Sequence, residues 1–79
     1  MNTIDVIKRV AKATNTPVTH IGVAMGKRPN YVSAIANRGS TPQCDTVVKM
    51  LEVCGYGLYA MPIDKAPSDA MRITANDDD

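Results

Sequence analysis

Three X-Pro pairs, Thr16-Pro17, Arg28-Pro29 and Thr41-Pro42, cut the middle of this chain into segments of similar length. Proline is preferred at the first position of a helix, where its missing N–H costs nothing and its φ is already near the helical value. Each pair therefore predicts a helix start, giving helices over about 17–24, 29–37 and 42–54. Thr16 and Thr41 are good N-cap residues; Arg28 is a poor one. Upstream, Asn2 predicts the cap of a first helix over about 3–14, with Asp5 at its third position reaching back toward the cap. Asn37-Arg38-Gly39-Ser40 reads as a loop, and Gly55 as the left-handed residue that ends the last helix.

Apolar spacing gives each helix an inner face. Ile4, Ile7, Val10 and Ala11 form a stripe on the first, which leaves Lys8, Arg9 and Lys12 as a solvated face. Ile21, Met25, Val32 and Ile35 share one apolar face across the second and third helices. A small residue, Gly22, lets those two cross closely, and Gly26 supplies positive φ in the turn between them. Residues 16–35 thus read as a helix-turn-helix, whose second helix is of the kind that enters a DNA major groove. On the fourth helix Cys44, Val47, Val48, Leu51 and Cys54 are expected to pack inward, both cysteines as small buried apolar groups.

After Gly55 the period changes. Residues 56–63 are rich in β-formers and predict a strand, 64–69 are turn material, and 71–74 predict a short return strand. A two-stranded hairpin alone is marginal in water and gains most by pairing with a second copy. The chain has neither Phe nor Trp, so its core is light, which raises the expectation of oligomerisation. Tyr56, Leu58, Tyr59, Met61, Ile63 and Ile73 are the expected dimer contacts. The fold class is mainly α: a compact four-helix domain with a helix-turn-helix over 1–61, a C-terminal β-strand or hairpin extension over 56–75, and a disordered acidic tail at 76–79.

Net charge is +1, but its distribution is uneven. Residues 1–61 hold seven Lys and Arg against three acids, and residues 62–79 hold two against five. A basic body with an acidic tail fits a nucleic-acid binder. No run of about 18 apolar residues predicts a membrane span, and no basic-then-apolar start predicts a secretory signal. The expected setting is cytoplasmic, with both cysteines reduced. His20 stands without a second His or clustered acids, so no metal site is expected. Neither a phosphate-cradling glycine loop nor a nucleophile–base constellation is evident, so the chain does not read as an enzyme and no cofactor is expected.

Ile21-Gly22-Val23-Ala24-Met25-Gly26, then Val32 and Ile35, then PQCDTVVKMLEVCGYGL from Pro42 to Leu58 resemble the phage Cro/repressor-like (XRE-type) helix-turn-helix family. The likeness covers about residues 16–58. It implies a compact α-helical bundle that binds operator DNA, usually as a homodimer, and regulates transcription, here as a repressor. By the same likeness Pro29, Asn30, Tyr31, Ser33 and Ala34 would face the bases, with Asn30 the best reader because its amide can bond adenine N6 and N7 together. Thr16, Lys27, Arg28, Asn37, Arg38, Ser40 and Thr41 would contact phosphates. Pro29 stands where the family often carries a long polar reader, Gly22 where it usually carries alanine, and Val18 where a polar phosphate contact is common. Side-chain readout is accordingly thin, and DNA shape is expected to supply part of any specificity. The competing reading is a protein-interaction module on the same fold. Its forms are an antitoxin that binds DNA through this motif and a toxin through the C-terminal segment, and an inhibitor carried by a phage or mobile element with no DNA role.

Overall fold

The computed structural model describes residues 2–74, which form α1 (Thr3–Ala13), α2 (Val18–Ala24), α3 (Tyr31–Arg38) and α4 (Cys44–Val53), followed by one 3-10 turn at Ile63–Lys65. Asn2 caps α1 as its sequence position requires. Its backbone is extended and its Oδ1 accepts the Asp5 N–H at 2.9 Å, satisfying an amide that has no partner inside the helix. Asp5 in the first turn and Lys12 in the last complement the helix dipole.

All four helices stop in the same way. One or two residues past each helix a residue adopts positive φ: Asn15 at 54°, Gly26 at 75°, Gly39 at 67° and Gly55 at 80°. At the end of α4 the Gly55 N–H donates to Glu52 O at 3.0 Å and the Tyr56 N–H to Leu51 O at 2.9 Å. The same paired bonds close α1, from Asn15 to Lys12 O and from Thr16 to Ala11 O. This reverse pairing consumes carbonyls that a helix end would otherwise leave bare. Asn15 manages the left-handed turn without being glycine because asparagine tolerates that region better than other side chains.

The core is aliphatic throughout: Ile4, Val6, Ile7, Val10 and Ala11 from α1, Ile21 from α2, Val32 and Ile35 from α3, and Val47, Met50, Leu51 and Cys54 from α4 and its cap. Ile21 and Met50 are 0% exposed. Helix α2 packs against both α3 and α4, and α1 packs against α4. At the α2–α3 crossing, a Cβ on Gly22 would overlap the Arg28 carbonyl oxygen and sit 3.1 Å from Tyr31 Cβ. Glycine there is therefore a packing requirement rather than a weakening of α2.

Several expectations need correction. All three prolines lie outside the helices they precede. Pro17 is itself the N-cap of α2, with ψ 137°, while Gln43 caps α4 and Asn30 caps α3, none of them through a side chain. Thr16 and Thr41 therefore do not cap. Pro29 and Asn30 are instead the middle of a turn closed by the Tyr31 N–H on Arg28 O at 3.0 Å. The Asn30 angles of −88° and 12° are those of the third residue of a type I turn, whose second position favours proline. Helix α3 accordingly starts two residues late and runs on through Arg38.

On α4 the buried stripe is Val47, Met50, Leu51 and Cys54, a run at i, i+3, i+4 and i+7. Cys44 is exposed and Val48 only half-buried, because the face is turned slightly toward Met50, which is buried in their stead. Both cysteines are free.

Residues 56–74 contain no strand among the described residues. Pro62 and Pro67 have no N–H to give a ladder, and their carbonyls instead close turns with the Lys65 and Ala70 N–H groups, each at 3.0 Å. The segment returns to the bundle at Met71 and Ile73, both partly buried against the core. Ile73, expected as a dimer contact, thus packs within its own chain. The acidic tail at 76–79 lies outside the described residues. Among the described residues no helix is long and apolar enough to cross a membrane.

Candidate nucleic-acid interface

Helix α3 buries Val32 and Ile35, at 1% and 5% exposure, and so turns the opposite side outward. Asn30, Ser33 and Asn37 recur at helical spacing on that side, and all three are exposed. Ala34 and Tyr31 are half-buried at its edges, and Pro29 lies in the preceding turn rather than on the helix. Asn30 sits at the mouth of α3 with no bond from its side chain to the first turn. Its amide therefore keeps both donor and acceptor for an outside group, the pair that matches adenine's major-groove edge.

Cations bracket this strip. Lys27 and Arg28 stand at the start of α3 and Arg38 in its last turn, all exposed. The Lys27 Nζ lies 5.8 Å from the centroid of the Tyr31 ring, within cation–π range. That contact ties the α2–α3 connection to the first turn of α3. Beyond Arg38, Gly39 turns the chain and Ser40 and Thr41 follow, both exposed. Expected base and phosphate residues from the turn before α3 to the loop after it are thus exposed, apart from half-buried Tyr31 and Ala34.

Thr16 is the exception among the expected phosphate residues. It is half-buried, and its hydroxyl lies 2.8 Å from that of Thr14. Thr14 directs its own proton to Val10 O at 2.9 Å, so in the Thr14–Thr16 pair Thr16 is the donor. With its only proton used internally, Thr16 has no hydroxyl donor left for a phosphate.

No Asp or Glu stands between Asp5 and Asp45, whereas Lys8, Arg9, Lys12, Lys27, Arg28 and Arg38 all do. From Val6 through the loop into α4 the chain therefore carries positive charge with no acid in the same stretch, and α1 beyond Asp5 belongs to it as much as α3 does. Among the described residues no group of three or more His, Cys, Asp or Glu side chains gathers as a metal site. No family model, curated protein sequence or solved structure matches this chain.

Proposed function

We propose that this protein is a DNA-binding regulator of transcription that reads sequence through a helix-turn-helix made of α2 and α3. The observation that carries the reading is the exposed polar strip of α3, with cations at both ends and no acidic residue from Val6 through Cys44. A major groove about 12 Å wide admits one helix. Inserted there, Asn30 meets a base edge at the mouth of α3, Ser33 meets the next, and Ala34 touches a thymine methyl. Lys27, Arg28 and Arg38, with the Ser40 and Thr41 hydroxyls, hold the flanking phosphates and fix the register. Repression follows from occupying DNA that the transcription machinery needs.

The active form in this reading is a homodimer, formed through the segment after α4. Tyr59 is 83% exposed, Ile63 74% and Met61 50%, a run of apolar surface that water disfavours and a second copy would cover. Light scattering is expected to give a dimer for the parent protein. It should give a monomer of unchanged helical content for a Tyr59→Ser, Ile63→Ser double variant. A monomeric parent at micromolar concentration would end the dimer model.

The same apolar segment favours the second reading, a protein-interaction module that uses it for a different partner. Selection from a random DNA pool separates the two. Enrichment of a pseudo-palindrome, with half-sites about one helical turn or a multiple of it apart, is the expected outcome. A pool that stays random would favour the interaction module.

A further inference from the structure

A cleft of about 180 Å³ between the start of α1 and the loop after α3 shares Ser40 and Thr41 with the proposed DNA-facing surface and carries it onto residues of α1 that have no role there. Its walls include Asn2, Asp5 and Lys8 from the α1 side and Ser40 and Thr41 from the loop. Lys8 reads in sequence as part of a solvated face with Arg9 and Lys12. In the fold it parts from them: Lys8 lines the cleft, and Arg9 and Lys12 do not. Lys8 has no ion-pair partner among the described residues. Asn2 spends its Oδ1 on the Asp5 N–H, which leaves its two amide protons for another acceptor. With Thr3, six donor-bearing or charged side chains from two distant parts of the chain thus meet beside the end of α3 that carries Arg38.

We infer that this cleft seats a phosphodiester of the DNA backbone, with Lys8 as its cation and the Asn2 amide and the Ser40 and Thr41 hydroxyls as its neutral donors. The inference rests on the DNA-binding reading and extends its contact surface from α3 onto α1. The volume exceeds that of a phosphate group; it equals about six waters at roughly 30 Å³ each. Lysine serves such a site as a point charge, while hydroxyls and amides set the position of the phosphate oxygens. Asp5 shares the cleft and opposes the anion, so the two charged residues of this wall must act in opposite directions on affinity.

That opposition makes the test specific. Full-length protein is titrated with a fluorescent duplex of mixed sequence, which needs no knowledge of an operator. Each phosphate contact contributes about 0.9 to the slope of log affinity against log salt. Lys8→Gln is expected to lower that slope by about 0.9. Between about 50 and 200 mM salt its affinity then falls roughly 3.5-fold less than that of the parent. Asp5→Asn is expected to raise affinity several-fold at low salt. Arg9→Gln removes the same charge from the same helix outside the cleft and is expected to leave the slope nearly unchanged. Circular dichroism melts check that all three remain folded.

A Lys8→Gln slope equal to the parent's, while Arg38→Ala still lowers it, overturns the cleft and leaves the DNA reading standing. Equal losses in Lys8→Gln and Arg9→Gln also overturn it, because long-range charge alone would then account for both. A parent protein with no salt-dependent affinity for duplex removes the DNA reading itself, and the cleft with it.

Discussion

Gly22→Val is expected to lower stability by about 3 kcal/mol, the upper end of what overpacking a filled site costs. A domain of this size would lose roughly 12–24 °C of melting temperature at that cost. The reason is local and directional. A Cβ at position 22 meets the Arg28 carbonyl oxygen first and Tyr31 Cβ next, at 3.1 Å. Backbone cannot rotate away as a side chain can, so the α2–α3 connection must move. Helix propensity alone makes the opposite forecast for Gly22→Ala, a gain of up to about 1 kcal/mol. The geometry reverses that sign, and thermal melts of the alanine variant decide between the two. A Gly22→Ala protein that melts above the parent would show that the crossing is looser than the structure has it.

The second large effect tests the division of α3 into base and phosphate contacts that we propose. Asn30→Ala is expected to cost about 1–3 kcal/mol, roughly 5–150-fold in affinity, at particular base pairs of a selected site, with the salt slope unchanged. Arg28→Ala and Arg38→Ala are expected to weaken binding to every sequence and to lower the slope by about 0.9 each. These variants are clean probes because all three side chains are exposed and Asn30 makes no cap bond that α3 would lose. Measured affinities across a panel of single-base operator variants give the comparison. If all three proteins bind as the parent does, α3 is not the element that enters the groove.

The same residues show where reading the sequence succeeded and where it stopped. Asn2 as a cap, the inward stripe of α1, and Val32 and Ile35 as core all follow from rules that act within one turn of a helix. The proline rule failed by one or two residues at each helix. Proline's fixed φ suits the turn or extended residue before a helix as well as it suits the first helical residue, and ψ alone separates the two. For Asn30 that shift matters: it becomes the residue at the mouth of α3 rather than one within it. Cys44 and Met50 exchanged places because two stripes fit the apolar residues of α4, and only the neighbouring helices select one. The C-terminal segment has strand composition, yet Pro62 and Pro67 bring no N–H to a ladder and their carbonyls close turns instead. Lys8 was hidden for a similar reason, since its neighbours in the cleft lie more than thirty positions away at Ser40 and Thr41.

By itself, the sequence determined four helices, the cap of the first, roughly where each one stops and most of their buried faces, since caps, left-handed stops and apolar spacing are local interactions. It also determined the acid-free stretch from Val6 through Cys44, which the order of residues alone records. The tertiary structure decided what depends on contact between distant segments: the need for glycine at position 22, the rotation of α4, and the meeting of Lys8 with the loop after α3. It also separated Thr16, whose hydroxyl proton is used inside the fold, from the exposed residues around α3. Local rules fix what a residue prefers, and only packing fixes what stands opposite it.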